Sequence, residues 1–321
     1  MKHIFVLNPA AGSGKGVALL PGILAAAGAA GVEYEVHRTV SAGDARNYVR
    51  KRIGEAGDDE IRFYSVGGDG TMNEVLNGII GHDRTQIAVI PVGTGNDFIR
   101  NFENRSEFSD IRKQIDGVPR KVDVLKYSLL DAEGQDTGQA ASTVSLVTSG
   151  YALNMLNMGF DAEVVDKVAH IKSGVIKGTA AYITGVLLVL AKLRTLPITI
   201  EADGEVVGSG EYLLTGAANG GYSGGGFYGL PPAKIDDGLL DLLMVRSISR
   251  RRFLSMVKMY HDGTHIGAPK FADVLEHRVC REAVFRPERE MVMAIDGEPV
   301  TCGGVRINIV PGAVTFSVPK E

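Results

Sequence analysis

Two short segments pair glycine with small polar residues at spacings that could hold a phosphate: Gly67-Gly68-Asp69-Gly70-Thr71 and Gly93-Thr94-Gly95-Asn96-Asp97. Each follows an apolar run, and the first leads into a helical pattern. Backbone N–H groups unshielded by side chains, together with a helix N-terminus, can therefore face an anion. A tight turn with Asp69 or Thr71 capping the helix explains the first segment equally well. Two such segments at one sheet edge favour a nucleotide site. A third, Asn8-Pro9-Ala10-Ala11-Gly12, runs on to Gly14-Lys15, but Pro9 stands where a Walker A loop needs glycine and Gly16 where it needs Ser or Thr. The dinucleotide fingerprint is also missing, so phosphate binding here needs another geometry.

Acidic turns form the second group. Asp236-Asp237-Gly238, preceded by Lys234 and followed by Asp241, could offer oxygen ligands to magnesium or be a solvated hairpin turn; spacing alone favours the turn. Asp296-Gly297-Glu298 could carry a catalytic carboxylate, yet the same tripeptide stands at Asp203-Gly204-Glu205, and spacing does not choose between them. His261 and His265, split by Gly263, read as surface histidines. Gly220 to Gly226 reads as the wall of a site. Cys280 and Cys302 lie far apart in no paired-thiol spacing, so neither a disulfide framework nor a zinc ribbon is supported.

These residues need elements to position them. Up to about Pro119, β-type runs at His3–Leu7, Glu33–His37, Ile61–Val66 and Gln86–Val92 alternate with helical patterns such as Ala42–Ile53 and Met72–Ile80. That alternation predicts a parallel sheet flanked by helices, with ligands beyond the carboxyl ends of its strands. The three loops should then line one crevice. After Val122 the pattern turns to β-rich alternation at Val144–Val147, Ile198–Glu201, Glu211–Thr215, Leu239–Val245, Met291–Ile295, Val305–Ile309 and Val314–Val318. Helical blocks at Ser173 to Leu193 and Arg251–Tyr260 interrupt it. A mainly antiparallel β domain with inserted helices is expected, with a boundary near Gly117–Arg120.

The bulk composition agrees with two domains. The chain has 321 residues, and its 34 Lys and Arg against 38 Asp and Glu give a net charge of −4, too balanced to suggest nucleic acid as partner. The N-terminus runs straight into an apolar strand pattern without a secretory signal, and Thr179 to Leu193 is shorter than the roughly 20 apolar residues that span a bilayer. A cytoplasmic setting is expected.

Taken in order, Asn8-Pro9, Gly67–Thr71 with Asn73-Glu74, Gly93–Asp97 with Phe98 and Arg100, Val122-Asp123-Val124, Asn157 to Asp161, Asp236-Asp237-Gly238 and Asp296-Gly297-Glu298 resemble the diacylglycerol kinase catalytic family. Its soluble bacterial members are related to sphingosine and ceramide kinases and, more remotely, to NAD kinases and phosphofructokinases. The resemblance implies an ATP-binding α/β domain over 1–120, to which a last strand near 310–321 can return. It also implies a β-rich lipid-substrate domain over 121–309, with catalysis between them.

It further implies residue roles. Asn8, Pro9, Ala10, Ala11, Gly12, Thr39, Gly67, Gly68, Asp69, Gly70, Thr71 and Thr94 would contact ATP, with Asn96 and Asp97 close by. Lys234 and Leu239, through backbone oxygens, and Asp237, through its carboxylate, would hold Mg2+. Asp296 is the first choice of base and Glu298 the second, with Asp123 in support. Asp161 and Glu163 would meet the lipid head group, and Tyr182–Leu190 could line an acyl cleft. Arg250-Arg251-Arg252 and Lys258 could touch a membrane surface peripherally, and a homodimer is possible. The expected activity is ATP- and magnesium-dependent phosphorylation of a lipid hydroxyl, diacylglycerol to phosphatidate. An enzyme acting on a soluble acceptor such as NAD, or a non-catalytic nucleotide-binding regulator, would share the glycine-rich loops.

Overall fold

The computed structural model describes residues 1–93, 95–131, 148–172 and 193–320. Thr94, the strand expected at Val144–Val147 and all but the last residue of the helical block Ser173 to Leu193, with Tyr182–Leu190 inside it, lie outside these residues. The chain forms two units, Met1–Val124 with Pro311–Glu321, and Leu125–Val310.

The first unit is built on a parallel sheet. Its strands are β1 (Lys2–Leu7), β2 (Tyr34–Arg38), β3 (Ile61–Gly67), β4 (Thr85–Pro91) and the end of β15 (Gly304–Val318), in the order β2-β1-β3-β4-β15. Every residue of β3 is buried, which is what a parallel strand covered on both faces requires. The helices between the strands are α1 (Lys15–Ala18), α2 (Leu20–Ala30), α3 (Asp44–Glu55), α4 (Asp69–Ile79) and α5 (Ile111–Ile115). Ile23 and Ala27 of α2 and Ile115 of α5 join Phe5, Leu7, Tyr64, Val66, Ala88 and Ile90 in one core. Arg62, buried in β3, closes the end of α5: its guanidinium donates to the carbonyls of Gln114 (3.2 Å), Ile115 (2.8 Å) and Gly117 (3.0 Å) and to Gln86 Oε1 (3.0 Å). Carbonyls left over at a helix terminus are thus satisfied by one side chain.

Two expectations need correction. Helix α4 starts at Asp69 rather than Met72, because Gly68 is its N-cap residue and Asp69-Gly70-Thr71 form its first turn. The pair of strands read at Val305–Ile309 and Val314–Val318 is one strand, β15, which runs through Pro311-Gly312. Gly312 adopts φ +56° there, and its N–H donates to Asp123 Oδ1 at 2.7 Å, so the irregularity is accommodated within the strand.

The second unit is mainly antiparallel. Its strands include β5 (Val118–Leu130, shared with the first unit), β6 (Ser149–Ala152), β7 (Met155–Gly159), β8 (Leu196–Ala202), β9 (Glu205–Ala218), β10 (Leu240–Arg246), β11 (Leu275–Cys280), β12 (Glu282–Pro287), β13 (Met291–Ile295) and β14 (Glu298–Cys302). The main order is β14-β13-β7-β9-β8-β12-β15, with β10 paired to both β9 and β11, and β6 paired to β5. Helix α6 (Phe160–Lys172) follows β7, and α7 (Arg250–Asp262) follows β10. Phe253, Met256 and Tyr260 of α7 pack on Phe160, Leu213, Leu243 and Phe271. Cys280 and Cys302 are buried and unpaired, and burial pushes their thiols up to about 12 and about 11, so neither is primed as a nucleophile. Among the described residues no single helix is long and apolar enough to cross a membrane.

Stability at acid pH should depend on His3. Its Nδ1 lies 2.6 Å from Tyr64 Oη, and burial, aided by the nearby Arg62 charge, lowers its pKa to about 4. The unfolded chain binds that proton near the ordinary 6.5. This contribution to stability is therefore complete above about pH 6.5 and is lost as pH falls towards 4. Urea unfolding of His3→Gln against the parent across that range should give a shallower acid-side decline in the variant; parallel profiles would show that His3 stays protonated in the folded state.

Candidate functional site

In the first unit, adjacent strands end together: Leu7 lies opposite Val66, and Gly67 opposite Pro91. The loops leaving β1, β3 and β4 therefore meet at one sheet edge. Asn8 joins two of them, its Nδ2 donating to Thr71 Oγ1 at 3.0 Å while its Oδ1 accepts the Ala10 N–H at 3.0 Å. Glycine is required where the backbones touch. A Cβ on Gly93 would sit 2.7 Å from Gly68 Cα, and one on Gly12, at φ +57°, 2.4 Å from the Val92 carbonyl oxygen.

Asp69 braces this edge. Its Oδ2 accepts the Asn96 N–H at 2.7 Å and its Oδ1 the Asp97 N–H at 2.9 Å. Asn96 is held at φ +50°, its Nδ2 donating to the Gly93 carbonyl at 2.6 Å. Arg100 lies 3.2 Å from Asp97. The N-cap of α4 is Gly68, which has no side chain, so that helix end carries no side-chain cap hydrogen bond. The positive end of an eleven-residue helix thus opens among loops of small residues.

Thr39 follows β2 at the same edge, its N–H donating to the Leu7 carbonyl at 2.9 Å. Glu74 holds that loop: its carboxylate accepts the N–H groups of Gly43 (2.8 Å) and Ala45 (3.1 Å) at the start of α3. Sequence reasoning gave Glu74 no task, although its place one turn after the glycine-rich loop was the available signal. The structure thus brings together Asn8 to Gly12, Thr39, Gly67 to Thr71, Asn96 and Asp97. Thr94 lies outside the described residues. Asp123 is buried in β5 and engaged with Gly312.

In the second unit the two Asp-Gly-Glu tripeptides are structural twins. Each opens a two-residue hairpin turn, with φ +49° and +85° at Asp203-Gly204 and +46° and +87° at Asp296-Gly297. Each aspartate caps a neighbouring segment. Asp203 Oδ1 accepts the N–H groups of Arg281 and Glu282, both at 2.9 Å. Asp296 accepts three: Leu153 at 2.8 Å, Asn154 at 2.9 Å and Met155 at 3.0 Å. Both carboxylate oxygens of Asp296 are thereby committed to main chain. Glu298, two residues on, is exposed.

The 234–239 loop is pinned by buried Ile235 and by Leu240 at the start of β10, and leaves Asp236 and Asp237 exposed. Asp237 Oδ1 accepts the Leu239 N–H at 3.0 Å. No group of three or more His, Cys, Asp or Glu gathers for a metal among the described residues. A set made of backbone carbonyls and one carboxylate is oxygen-only and chemically suited to a hard cation.

Asp161 and Glu163 stand two apart on α6 and point differently. Glu163 lines a cavity of about 840 Å³ with Arg194, Glu211, Glu288, Arg289 and Glu290. Asp161 accepts the Tyr260 hydroxyl at 2.7 Å, and burial pushes its carboxyl up to about 6 against the opposing effect of that bond. His265 is buried, with Nε2 3.0 Å from the Gly229 carbonyl, so the surface reading holds for His261 alone. Arg252 is ion-paired with Asp273 and lies over Phe271 at 5.7 Å, while Arg250 and Arg251 are exposed.

Comparison with known proteins accords with this architecture. Residues 2–127 match the diacylglycerol kinase catalytic domain, and residues 154–318 the YegS C-terminal NAD kinase beta sandwich-like domain. A Stenotrophomonas maltophilia protein named "Probable lipid kinase YegS-like" is 31% identical over 305 residues, covering 90% of this chain and 88% of that protein. A diacylglycerol kinase of Staphylococcus carnosus is 30% identical over 301 residues, covering 91% and 87%. The crystal structure of a diacylglycerol kinase from Bacillus anthracis is 25% identical, covers 99% of this chain and 96% of that one, and has a TM-score of 0.66. The chain is a lipid kinase and belongs to the diacylglycerol kinase catalytic-domain family.

Proposed function

We propose that this lipid kinase transfers the γ-phosphoryl group of ATP to the free hydroxyl of diacylglycerol, giving phosphatidate. The observation that carries the ATP reading is the convergence of the 8–12 and 67–71 loops with Gly93 and residues 95–97 around an α4 N-terminus without a side-chain cap. Main-chain N–H groups and the helix dipole there suit a chain of phosphates without a Walker lysine. Glu74 and Asp69 act indirectly, holding loops that face the nucleotide.

In the acceptor step Glu298 takes the proton from the lipid hydroxyl. That oxygen bonds to the γ-phosphorus as the bond from phosphorus to the bridging oxygen breaks, and ADP leaves with the electron pair. Glu298 is preferred to Asp296 because it stands exposed at the hairpin tip, where a lipid hydroxyl can reach it, whereas Asp296 would have to give up bonds to three N–H groups. The assignment reverses the ranking drawn from resemblance. Lys234 and Leu239 through their carbonyls, and Asp237 through its carboxylate, are the residues that would hold Mg2+. Such an ion would shore up the loop entering β10 and offset nearby negative charge. Glu163, facing the charged cavity, is the better placed of the two α6 carboxylates for a polar head group. Exposed Arg250, Arg251 and Leu254 offer a peripheral contact with anionic lipid, at about 1 kcal/mol per basic residue.

Incubation with γ-labelled ATP, magnesium and mixed micelles of diacylglycerol should place label in an organic-extractable product that co-migrates with phosphatidate. Label confined to the aqueous phase across a panel of lipids would overturn the acceptor assignment. Glu298→Gln should lower kcat by about 10²–10⁴-fold while ATP affinity stays near the parent value; a loss of affinity with kcat preserved would instead place Glu298 in nucleotide binding. Asp237→Ala should raise the magnesium concentration needed for half-maximal thermal stabilisation, and an unchanged magnesium titration would remove the 234–239 loop from the metal site.

A further inference from the structure

The corner between β6 and β7 joins two segments that the sequence keeps far apart. Asn154, 4% exposed, stands at its centre and uses main chain and side chain together. Its N–H donates to Asp296 Oδ1 at 2.9 Å. Its carbonyl accepts the N–H groups of Asn219 at 2.8 Å and Gly220 at 3.0 Å. Its Nδ2 donates to the Tyr222 carbonyl. Leu153 repeats the arrangement: its N–H reaches Asp296 Oδ2 at 2.8 Å, and its carbonyl accepts from Asn219 Nδ2 at 2.9 Å. The hairpin tip that carries Glu298 is thereby fastened, through two residues, to the glycine-rich stretch 220–226.

The twin turn provides the comparison. Asp203 caps Arg281 and Glu282 with similar distances, and among the described residues no glycine-rich segment hangs on that pair. The linkage at the 296 end through Leu153 and Asn154 is therefore additional to the aspartate cap that the two turns share. Glycine-rich backbone also loses more conformational entropy on ordering than any other; the segment's own bonds join Ser223 to Phe227, Gly226 to Ser223 and Leu230 to Gly221, and the Asn154 bonds attach its first residues to the corner.

We propose that Asn154 is a positioning residue for phosphate transfer, holding the Glu298 tip and the 220–226 segment in fixed register so that proton acceptor and site wall move as one piece. Asp296 is the anchor of this device. The proposal rests on the reading of Glu298 as the base.

Hydrogen exchange and kinetics on the full chain test it together. Asp296→Asn should speed amide exchange at 153–155 and also at 219–222, leaving 281–282 unchanged, whereas Asp203→Asn should speed exchange at 281–282 alone. Asn154→Ala removes the side-chain bond to Tyr222 and keeps the main-chain bonds of residue 154. It should fold with a near-parental melting temperature, speed exchange at 220–226, and lower kcat by up to about 10²-fold, the cost of small misplacement, with KM for ATP within about threefold. Exchange at 219–222 that ignores Asp296→Asn would overturn the coupling. Coupling with kcat of Asn154→Ala unchanged, or lowered only in proportion to unfolded protein, would overturn the positioning role. A parent chain that phosphorylates no lipid, yet shows the exchange pattern, would overturn it too and would locate the fault in the reading of the site rather than in the linkage.

Discussion

Carboxylates that accept backbone N–H groups from segments remote in sequence hold both units in shape. In the first unit Asp69 takes the 96–97 backbone, Glu74 the start of α3, and Asp123 the irregular point of β15. In the second, Asp203 and Asp296 do the same for 281–282 and 153–155. Loops rich in glycine are costly to order, and their N–H groups find no partner in regular structure. A charged acceptor supplies a stronger bond than a neutral one, about 1.5–3 kcal/mol each. Removing one of these carboxylates would leave one to three of these N–H groups without that acceptor.

The alternation of elements in the first unit, the convergence of its three loops and the antiparallel character of the second unit were legible, because period and turn chemistry are written in local residue types. The division of labour among carboxylates was not. Asp69 sits in a phosphate-loop pattern but accepts from the 96–97 backbone; Asp296, first choice of base by resemblance, accepts three N–H groups; Glu74, given no role, fastens α4 to the start of α3. Each answer depends on what lies across the fold from the side chain, which spacing along the chain does not encode. The identical tripeptides at 203 and 296 make this plain: their turns agree within a few degrees, and only the segment each aspartate caps distinguishes them.

The chain belongs to a lipid kinase family, and in the proposed reading the needs of that reaction fall in separate places among the described residues. In that reading, phosphates are assigned to main chain and a helix end, the acceptor to a carboxylate on a hairpin, and a polar head group to the charged cavity beside α6. Because Asp161 and Glu163 face different surroundings, a change of acceptor can act on Glu163 and its cavity while the Asp161–Tyr260 bond between α6 and α7 stays intact.

The first unit takes its last strand from residues beyond 310, so β4 has a partner on one side only until β15 is in place. During synthesis the N-terminal unit therefore emerges first yet is finished last, with an open parallel edge for as long as the intervening 186 residues, 125 to 310, are still being made. An open edge of buried-type sequence invites pairing with other chains. Expression yield, chaperone dependence and tolerance of C-terminal tags should accordingly be governed by how quickly β15 reaches β4.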